Sequence, residues 1–180
     1  MLRLTAPKIL AAAVLAVVLC PAARAAEPDP CTGFKWDVSR ELAVMRQTPQ
    51  AITAAVKPGA AVPQLRAGTL YSLKLADQAA VTFAAGPGKT NGAGDAHAGL
   101  VHFNVKKAGR YRVSIASGLW VDFVDAGQLV PAVDFQGHVG CERPRKIVEF
   151  DLPAQRTLTL QFSGSGGAEV TVAITAAGTP

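Results

Sequence analysis

The sequence predicts an all-β protein, an antiparallel β-sandwich that is jelly-roll-like and has about eight strands, with a short N-terminal helical arm. Two patterns support this fold class. After Pro63, apolar residues recur at every second position in short runs separated by glycine-containing turns, which is typical of strands with one buried face. Before Pro49, apolar residues recur at a helical spacing instead.

Residues 1–25 are predicted to be a secretory signal peptide. The basic residues Arg3 and Lys8 precede an apolar segment, residues 9–20, that is too short to span a bilayer. The A-x-A spacing that ends at Ala25 is the pattern that signal peptidase recognises, so we expect cleavage after this residue. No later segment is long and apolar enough to span a membrane. The mature chain is therefore predicted to be periplasmic or secreted, without a transmembrane segment.

Removal of 25 residues from the chain of 180 leaves 155, which suits one domain with a hydrophobic core. We divide it into an N-terminal arm and helix, residues 26–63, and a β-sandwich domain, residues 64–180. Loss of the signal removes three of the 18 basic residues against 13 acidic ones, so the net charge falls from +5 to about +2. The remaining basic residues are scattered, apart from residues 106–107 and 143–146, and no nucleic-acid partner is expected.

The cysteines favour one disulfide. Cys20 lies in the predicted signal, and a lipoprotein alternative in which Cys20 is modified conflicts with Leu19, because the preceding position takes a small residue. Cys31 and Cys141 then remain in the mature chain. An even number of cysteines in an oxidising compartment favours a bond between Cys31 and Cys141 over two free thiols.

An amphipathic helix is predicted to begin at Asp37, whose carboxylate is suited to accept hydrogen bonds from the first turn. Val38, Leu42 and Met45 then form one apolar stripe. Pro49 is expected to end the helix, because a proline disfavours the helical conformation of the residue before it.

Two further segments precede or interrupt the predicted strands. A second, weaker helical segment is expected at residues 50–56, before Lys57-Pro58-Gly59. Residues 84–99 are rich in glycine and are expected to form a mobile loop. This loop contains GPGKT at residues 86–90, but the position where a phosphate-binding loop needs its first glycine is Phe83, so we exclude nucleotide binding.

Seven runs after Pro63 alternate between apolar and polar residues with the period of a strand. In one of them, Tyr111, Val113 and Ile115 share a face, while arginines and serine occupy the other. The runs are residues 70–77, 101–105, 110–117, 119–125, 146–152, 156–164 and 168–175.

Trp120 and Asp122 form the candidate ligand-binding site. In residues 119–125 either of two strand faces could be buried: the face that contains Leu119 and Phe123, or the face that contains Trp120 and Asp122. If the former is the core, Trp120 and Asp122 face solvent, as in a platform for a sugar or a peptide. The alternative is that Trp120 lies under the N-terminal helix.

Three histidines, His97, His102 and His138, are the candidate metal ligands. Histidines together with a carboxylate can bind iron. No His-x-His pair occurs, however, and surface positions would explain all three residues. No serine lies in a Gly-x-Ser-x-Gly nucleophile motif, so the sequence does not indicate a serine hydrolase of that class.

Two pairs of segments resemble known families. "FNVKKAGRYRVSIAS" and "VEFDLPAQRTLTLQFSG", within residues 67–176, resemble the pre-peptidase C-terminal type of secreted β-sandwich, in which an Ala-Gly turn leads into an alternating strand. "CTGFKWDVSRE" and "GCERPRKIVEFDL" resemble a group of small exported proteobacterial proteins of uncharacterised role. Some of those proteins are named homogentisate 1,2-dioxygenase, which implies a metal-dependent enzyme. The His/Glu iron motif of that longer cupin enzyme does not occur here, so no catalytic residue is carried over.

The function expected from the sequence is that of an exported, non-enzymatic binding or envelope-accessory module without a cofactor. Its partner would be a small molecule, a glycan or an envelope protein. The binding surface would include Trp120 and Asp122, with the loop at residues 84–99 as a mobile rim. The alternative function is that of a metal-dependent, dioxygenase-like enzyme built on the three histidines.

Overall fold

The computed structural model describes residues 30–89 and 95–177, so the predicted signal peptide and Cys20 lie outside the described residues. The helical elements of this part are α1 (Ser39–Met45) and two 3₁₀ helices, Pro30–Gly33 and Gln78–Ala80. Its strands, in chain order, are β1 (Gln50–Thr53), β2 (Gln64–Leu65), β3 (Leu70–Lys74), β4 (Ala76–Asp77), β5 (His97–Val105), β6 (Gly109–Ile115), β7 (Trp120–Asp125), β8 (Gln128–Val130), β9 (Ala132–Gly137), β10 (Lys146–Leu152), β11 (Arg156–Ser165) and β12 (Glu169–Ala176).

The strands form two sheets that pack face to face. The first sheet has the order β1-β3-β12-β6-β10-β9, and the second has the order β2-β5-β11-β7-β8, with β4 also paired to β5. Eight strands, β3-β12-β6-β10 and β5-β11-β7-β8, pair with one another in antiparallel orientation and have the order of a jelly roll. The predicted fold class is therefore confirmed. Short strands extend this core, and β1 and β2 pair in parallel with β3 and β5.

The core lies between the sheets, where the apolar faces of the alternating runs meet. Aromatic rings form its centre: the ring centroid of Phe123 lies 5.0 Å from that of Phe150 and 6.0 Å from that of Phe103. Phe103 also contacts the ring of Tyr111 edge-on. The apolar residues predicted from the period of two are buried in this cluster: Tyr71, Leu73, Val101, Phe103, Tyr111, Val113, Ile115, Leu158, Leu160, Phe162, Val170, Val172 and Ile174. No helix in the described part of the chain has the length and apolarity that crossing a membrane requires.

Residues 50–56 do not form the predicted helical segment. Residues 50–53 form strand β1, which pairs in parallel with β3, and Ala55 exchanges two backbone hydrogen bonds with Leu100, each 2.9 Å long. The prediction was wrong because the alanine-rich composition favours a helix only weakly. The open hydrogen-bonding groups at the edge of β3 offer this segment a partner that local propensity does not reveal.

The N-terminal helix covers the outer face of the first sheet. Helix α1 begins at Ser39, two residues after the predicted start, and Val38 occupies the N-cap position without a side-chain cap. The Asp37 carboxylate accepts a hydrogen bond from the Ser39 N–H at 2.9 Å, and this bond lowers the pKa of Asp37. Val38 is buried against one part of the sheet, and Met45 is buried against another.

A buried ion cluster joins α1 to the first sheet. Arg112 of β6 donates to Glu149 of β10 at 2.7 Å and to the backbone oxygen of Asp37 at 2.8 Å. Its guanidinium also lies 3.5 Å from Glu41 of α1, which accepts a hydrogen bond from Thr175 of β12 at 2.6 Å. The side chains of Arg112, Glu149, Glu41 and Thr175 are all buried. Polar side chains on the outer face of β6, β10 and β12 are therefore buried beneath the helix instead of facing solvent.

A disulfide between Cys31 and Cys141 closes the same region, as predicted. The two Cα atoms lie 4.7 Å apart across a sequence separation of 110 residues. Phe34 and Ile147 are buried beside Cys141, with Trp36 packed against them. The cross-link therefore attaches the start of the described chain to the loop before β10.

Reduction of the Cys31–Cys141 bond is expected to lower the melting temperature. The chain-entropy model gives an upper limit of about 5 kcal/mol for a loop of this length. Hydrogen exchange of the oxidised and reduced proteins should show residues 31–47 losing protection first. Cys31→Ser and Cys141→Ser should both lower the melting temperature, with the larger effect at the fully buried Cys141. Titration of two free thiols in the native protein would contradict the bond.

Replacement of Arg112 by methionine is expected to cost about 3–5 kcal/mol of unfolding free energy, because it leaves the buried Glu41 carboxylate without a cation and leaves Glu149 with only Arg110, 3.5 Å away. The matched control is Arg156→Met, which removes an exposed pair with Asp125 and should cost about 1 kcal/mol or less. Urea denaturation measures both. Adding Glu41→Leu and Glu149→Leu to Arg112→Met should recover part of the loss, and equal costs for the two single arginine variants would refute the cluster's role.

Candidate functional site

Trp120 and Asp122 lie on the outer face of the second sheet, because Leu119, Val121 and Phe123 face the core. Asp122 is buried, and Trp120 is half-buried. The Trp120 indole donates to one Asp122 oxygen at 2.8 Å, and the other oxygen accepts from the backbone N–H of Gly88 at 3.1 Å. Helix α1 packs against the opposite sheet, so Trp120 does not lie beneath it.

Residues 84–89, the first part of the predicted mobile rim, are held against this face. Gln161 of β11 donates to the Ala85 oxygen at 3.1 Å and accepts from the Ala85 N–H at 3.4 Å. Gly88 approaches so closely that a Cβ atom at this position would lie 2.9 Å from an Asp122 oxygen. This segment is therefore part of the surface. Residues 90–94 of the predicted rim lie outside the described residues. The prediction was wrong for residues 97–99, which belong to strand β5 and pair with β11 despite their glycine-rich surroundings.

Two lysines, Lys89 and Lys146, lie over the indole of Trp120. Their Nζ atoms are 5.5 Å and 4.8 Å from its ring centroid, within the range of a cation–π interaction. Burial lowers the pKa of Lys146, and the positive charge of Lys89 lowers it further, while Asp122 acts in the opposite direction. The two ammonium groups thus repel one another and are incompletely neutralised by the protein.

An exposed apolar patch lies next to these lysines, on strands β8 and β9 and the turn after β9. Four of the five large hydrophobic residues that are exposed in the described chain belong to it: Leu129 at 38%, Val133 at 45%, Phe135 at 63% and Val139 at 81%. We call these four residues the β8–β9 patch. Leu129 and Val139 each line a cleft together with Phe135, and exposed apolar residues that cluster in this way are typical of binding surfaces.

Phe135 is exposed because of the sheet architecture. It pairs with Val148 of β10, so its side chain points to the core-facing side of the first sheet. The opposing sheet ends at β8, a strand of three residues, and cannot cover the outermost strand β9. The alternation in β9 therefore places an apolar side chain at the open margin of the sandwich.

Two clefts flank Phe135, and both are also lined by Lys146. One has a volume of about 140 Å³ and extends between the sheets, past Trp120 to Val130 and Phe150. The other has a volume of about 250 Å³ and is bordered by Val139 and Arg145. An apolar side chain of a ligand would thus find a cavity on either side of the ring, with a cation at its edge.

Strands β8 and β9 are the last strands of their respective sheets. Within the described residues, β8 pairs only with β7, and β9 pairs only with β10. The outer edges of both strands are consequently open to a further strand, although the Phe135 N–H of β9 already donates to the Asp134 carboxylate at 2.8 Å.

The three histidines do not come together. His97 contacts Asp77 at 3.6 Å, and His102, five residues later on β5, lies on the other face of that strand. His138 packs against the ring of Phe34 beside the disulfide. Among residues 30–89 and 95–177, no group of three or more histidine, cysteine, aspartate or glutamate side chains is placed to hold a metal ion.

Comparison of the chain with protein-family models, with curated protein sequences and with solved structures finds no match. The interpretation of the site therefore rests on its own geometry.

Sequence reasoning missed Phe135 and Lys146, which dominate the surface. Val133 and Phe135 alternate with Asp134 and Gln136, a detectable strand signal, but that signal predicts burial. The proximity of Lys146 to Trp120 depends on the pairing of β10 with β6, which no local pattern reveals.

The pKa of Lys146 is expected to respond oppositely to its two charged neighbours. Lys89→Gln should raise this pKa because it removes a nearby positive charge, and Asp122→Asn should lower it because it removes an attractive one. NMR titration of the lysine Nζ signals measures both shifts, and Lys57→Gln, remote and exposed, should cause none. The lowered pKa means that the folded state binds the Lys146 proton less tightly than the unfolded state does. The free energy of unfolding should therefore rise with pH between the folded-state pKa of Lys146 and its ordinary value of 10.5. Shifts of the same sign in both variants would contradict the arrangement.

Proposed function

We propose that the protein is an exported, non-enzymatic binding module that holds a segment of a partner protein against the β8–β9 patch. The observation that carries this proposal is the 63% exposure of the Phe135 side chain between two clefts on an open sheet edge. Aromatic side chains at the centre of a contact surface contribute a large share of binding energy in protein complexes. The sequence predicted a site at Trp120 and Asp122, and the proposed surface adds the residues that lie beside them.

The open edge of β9 favours a partner in an extended conformation. A peptide strand that pairs with β9 would gain backbone hydrogen bonds and direct alternate side chains toward the clefts beside Phe135. Asp134 and Gln136 are already engaged by residues 33–35, so the polar face of β9 is occupied. The partner would therefore contact the face that carries Phe135.

The charges at this surface favour acidic residues in the partner. Lys89, Lys146 and Arg145 border the clefts or the adjoining indole, and Asp122 accepts three hydrogen bonds from protein groups at 2.8–3.5 Å. A carboxylate placed between Lys89 and Lys146 would relieve their mutual repulsion. The recognised segment would thus combine an aliphatic or aromatic side chain with a nearby aspartate or glutamate.

A location outside the cytoplasm is part of the proposal. The disulfide between Cys31 and Cys141 supports it, because such bonds persist mainly in oxidising compartments. The signal peptide predicted at residues 1–25 supports it as well. The partner is accordingly an envelope or extracellular protein.

Selection from a displayed random-peptide library tests the proposal. The wild-type protein should enrich peptides that combine an apolar and an acidic residue. Phe135→Ser and Lys146→Gln should each weaken binding of those peptides by about tenfold, because they remove the apolar contact and the cation. Val56→Ser changes an exposed apolar residue outside the patch and should leave binding unchanged.

Three results would count against this function. The library would yield no enriched sequence, or the enriched peptides would bind Phe135→Ser as tightly as wild type. Alternatively, a glycan array would give Phe135-dependent binding while the peptide library gave none, and the ligand would then be a sugar instead of a protein segment.

A further inference from the structure

A large cleft opens at the other end of the sandwich from Lys146. Strand β6 runs from one site to the other: Gly109 and Arg110 at its start line the cleft, and Ile115 at its end pairs with Lys146. The cleft has a volume of about 880 Å³, which is within the range of small-molecule sites. Its walls come from β2, the turn between β5 and β6, and the end of β12.

The cleft combines an apolar interior with a basic margin. Leu65, Phe103 and Tyr111 of the main core lie at its base, together with small alanine side chains. Its four charged lining residues are all basic: Arg66, Lys106, Lys107 and Arg110.

Three of these cations have no carboxylate partner among the described residues. Arg110 pairs with Asp151 at 3.1 Å and lies 3.5 Å from Glu149, so its charge is engaged. Arg66, Lys106 and Lys107 are exposed and form no ion pair with residues 30–89 or 95–177. Three uncompensated cations thus surround the mouth of a largely apolar space.

Hydrogen bonds hold the cation-bearing segments in place. The Tyr111 hydroxyl donates to the Lys107 carbonyl at 2.8 Å, and the Tyr71 hydroxyl accepts from the Arg66 N–H at 3.1 Å. The Ala177 N–H donates to the Arg110 carbonyl at 2.9 Å. Gly109 has a φ of +148°, which favours glycine at the start of β6. The cleft is therefore preformed, which reduces the ordering cost of binding.

We propose that this cleft binds a single-chain anionic amphiphile, with its hydrocarbon chain in the apolar interior and its carboxylate or phosphate group among Arg66, Lys106 and Lys107. The three basic residues favour an anionic ligand. The apolar base favours a ligand with a hydrocarbon chain over a small inorganic ion. The same chemistry is available from a free fatty acid or from the phosphate of a single-chain lipid. The site lies on residues other than those of the β8–β9 patch and does not depend on the function proposed for that patch.

Calorimetric titration with four probes tests this site: decanoate, decyl phosphate, decanol and acetate, each as a monomer in solution. We expect decanoate, decyl phosphate or both to bind about tenfold more tightly than decanol, because the neutral head gains no charge-assisted hydrogen bonds. Acetate should not bind measurably, since it has no chain. The stronger of the two anionic probes identifies the head group.

The residue-level test compares two double variants that remove equal charge. Lys106→Gln/Lys107→Gln should weaken binding of the stronger probe by about tenfold, as expected from lost charge-assisted contacts. Arg46→Gln/Lys57→Gln, at exposed positions outside the cleft, should leave it unchanged. Ala177→Phe adds bulk at the lining and should weaken the long-chain probes, with circular dichroism confirming that the variant folds.

The site is rejected if no anionic probe binds, if decanol binds as tightly as decanoate, or if the two double variants lose equal affinity. None of these results bears on peptide binding at Phe135, and Phe135→Ser should leave decanoate binding unchanged. Failure of either proposal can therefore be recognised separately.

Discussion

Arg112 connects the N-terminal segment to three strands of the first sheet. Its guanidinium contacts Glu149 on β10, the Asp37 carbonyl and Glu41 on α1, and Glu41 in turn accepts from Thr175 on β12. A buried ion pair of this kind adds little stability over an apolar replacement, but it is costly to break and its geometry is specific. The helix can therefore pack on the sheet in only one position that leaves no buried charge unpaired. The Cys31–Cys141 bond then limits how far the docked segment can separate.

The docked N-terminal segment also determines which face of β9 remains available. Lys35 pairs with Asp134, and the Lys35 N–H donates to the Gln136 side chain at 2.7 Å. Because side chains alternate along a strand, holding these two on one face places Phe135, which lies between them, on the other. Residues 84–89 cover the outer face of the second sheet beside Trp120. The N-terminal segment thus covers one face of β9, and residues 84–89 cover part of the outer face of the second sheet. Apolar side chains stay exposed at the open margin between β8 and β9.

The sequence predicted most of the sandwich, because burial of one face imposes a period of two that can be read locally. The cysteine pairing followed from an even number of cysteines in a predicted exported chain. The buried ion cluster was not predictable, because Arg112 and Glu149 occupy the outer positions of amphipathic strands, where charged residues ordinarily meet solvent. Strand β1 was missed because its structure depends on the exposed edge of β3. Lys146 meets Trp120 only through strand pairing between distant segments, and Lys89 reaches the indole through the segment that Asp122 and Gln161 hold.

Asp122 illustrates why this surface is suited to binding. Its carboxylate accepts from the Trp120 indole and the Gly88 N–H, and Gln161 donates to it at 3.5 Å. Because both carboxylate oxygens already accept hydrogen bonds from protein groups, Asp122 has little hydrogen-bonding capacity left for a ligand. Asp122 therefore positions the loop and the indole, and the indole in turn supports the two lysines. The groups left for a ligand at this margin are the cations and the exposed ring of Phe135, which provide attraction and apolar contact.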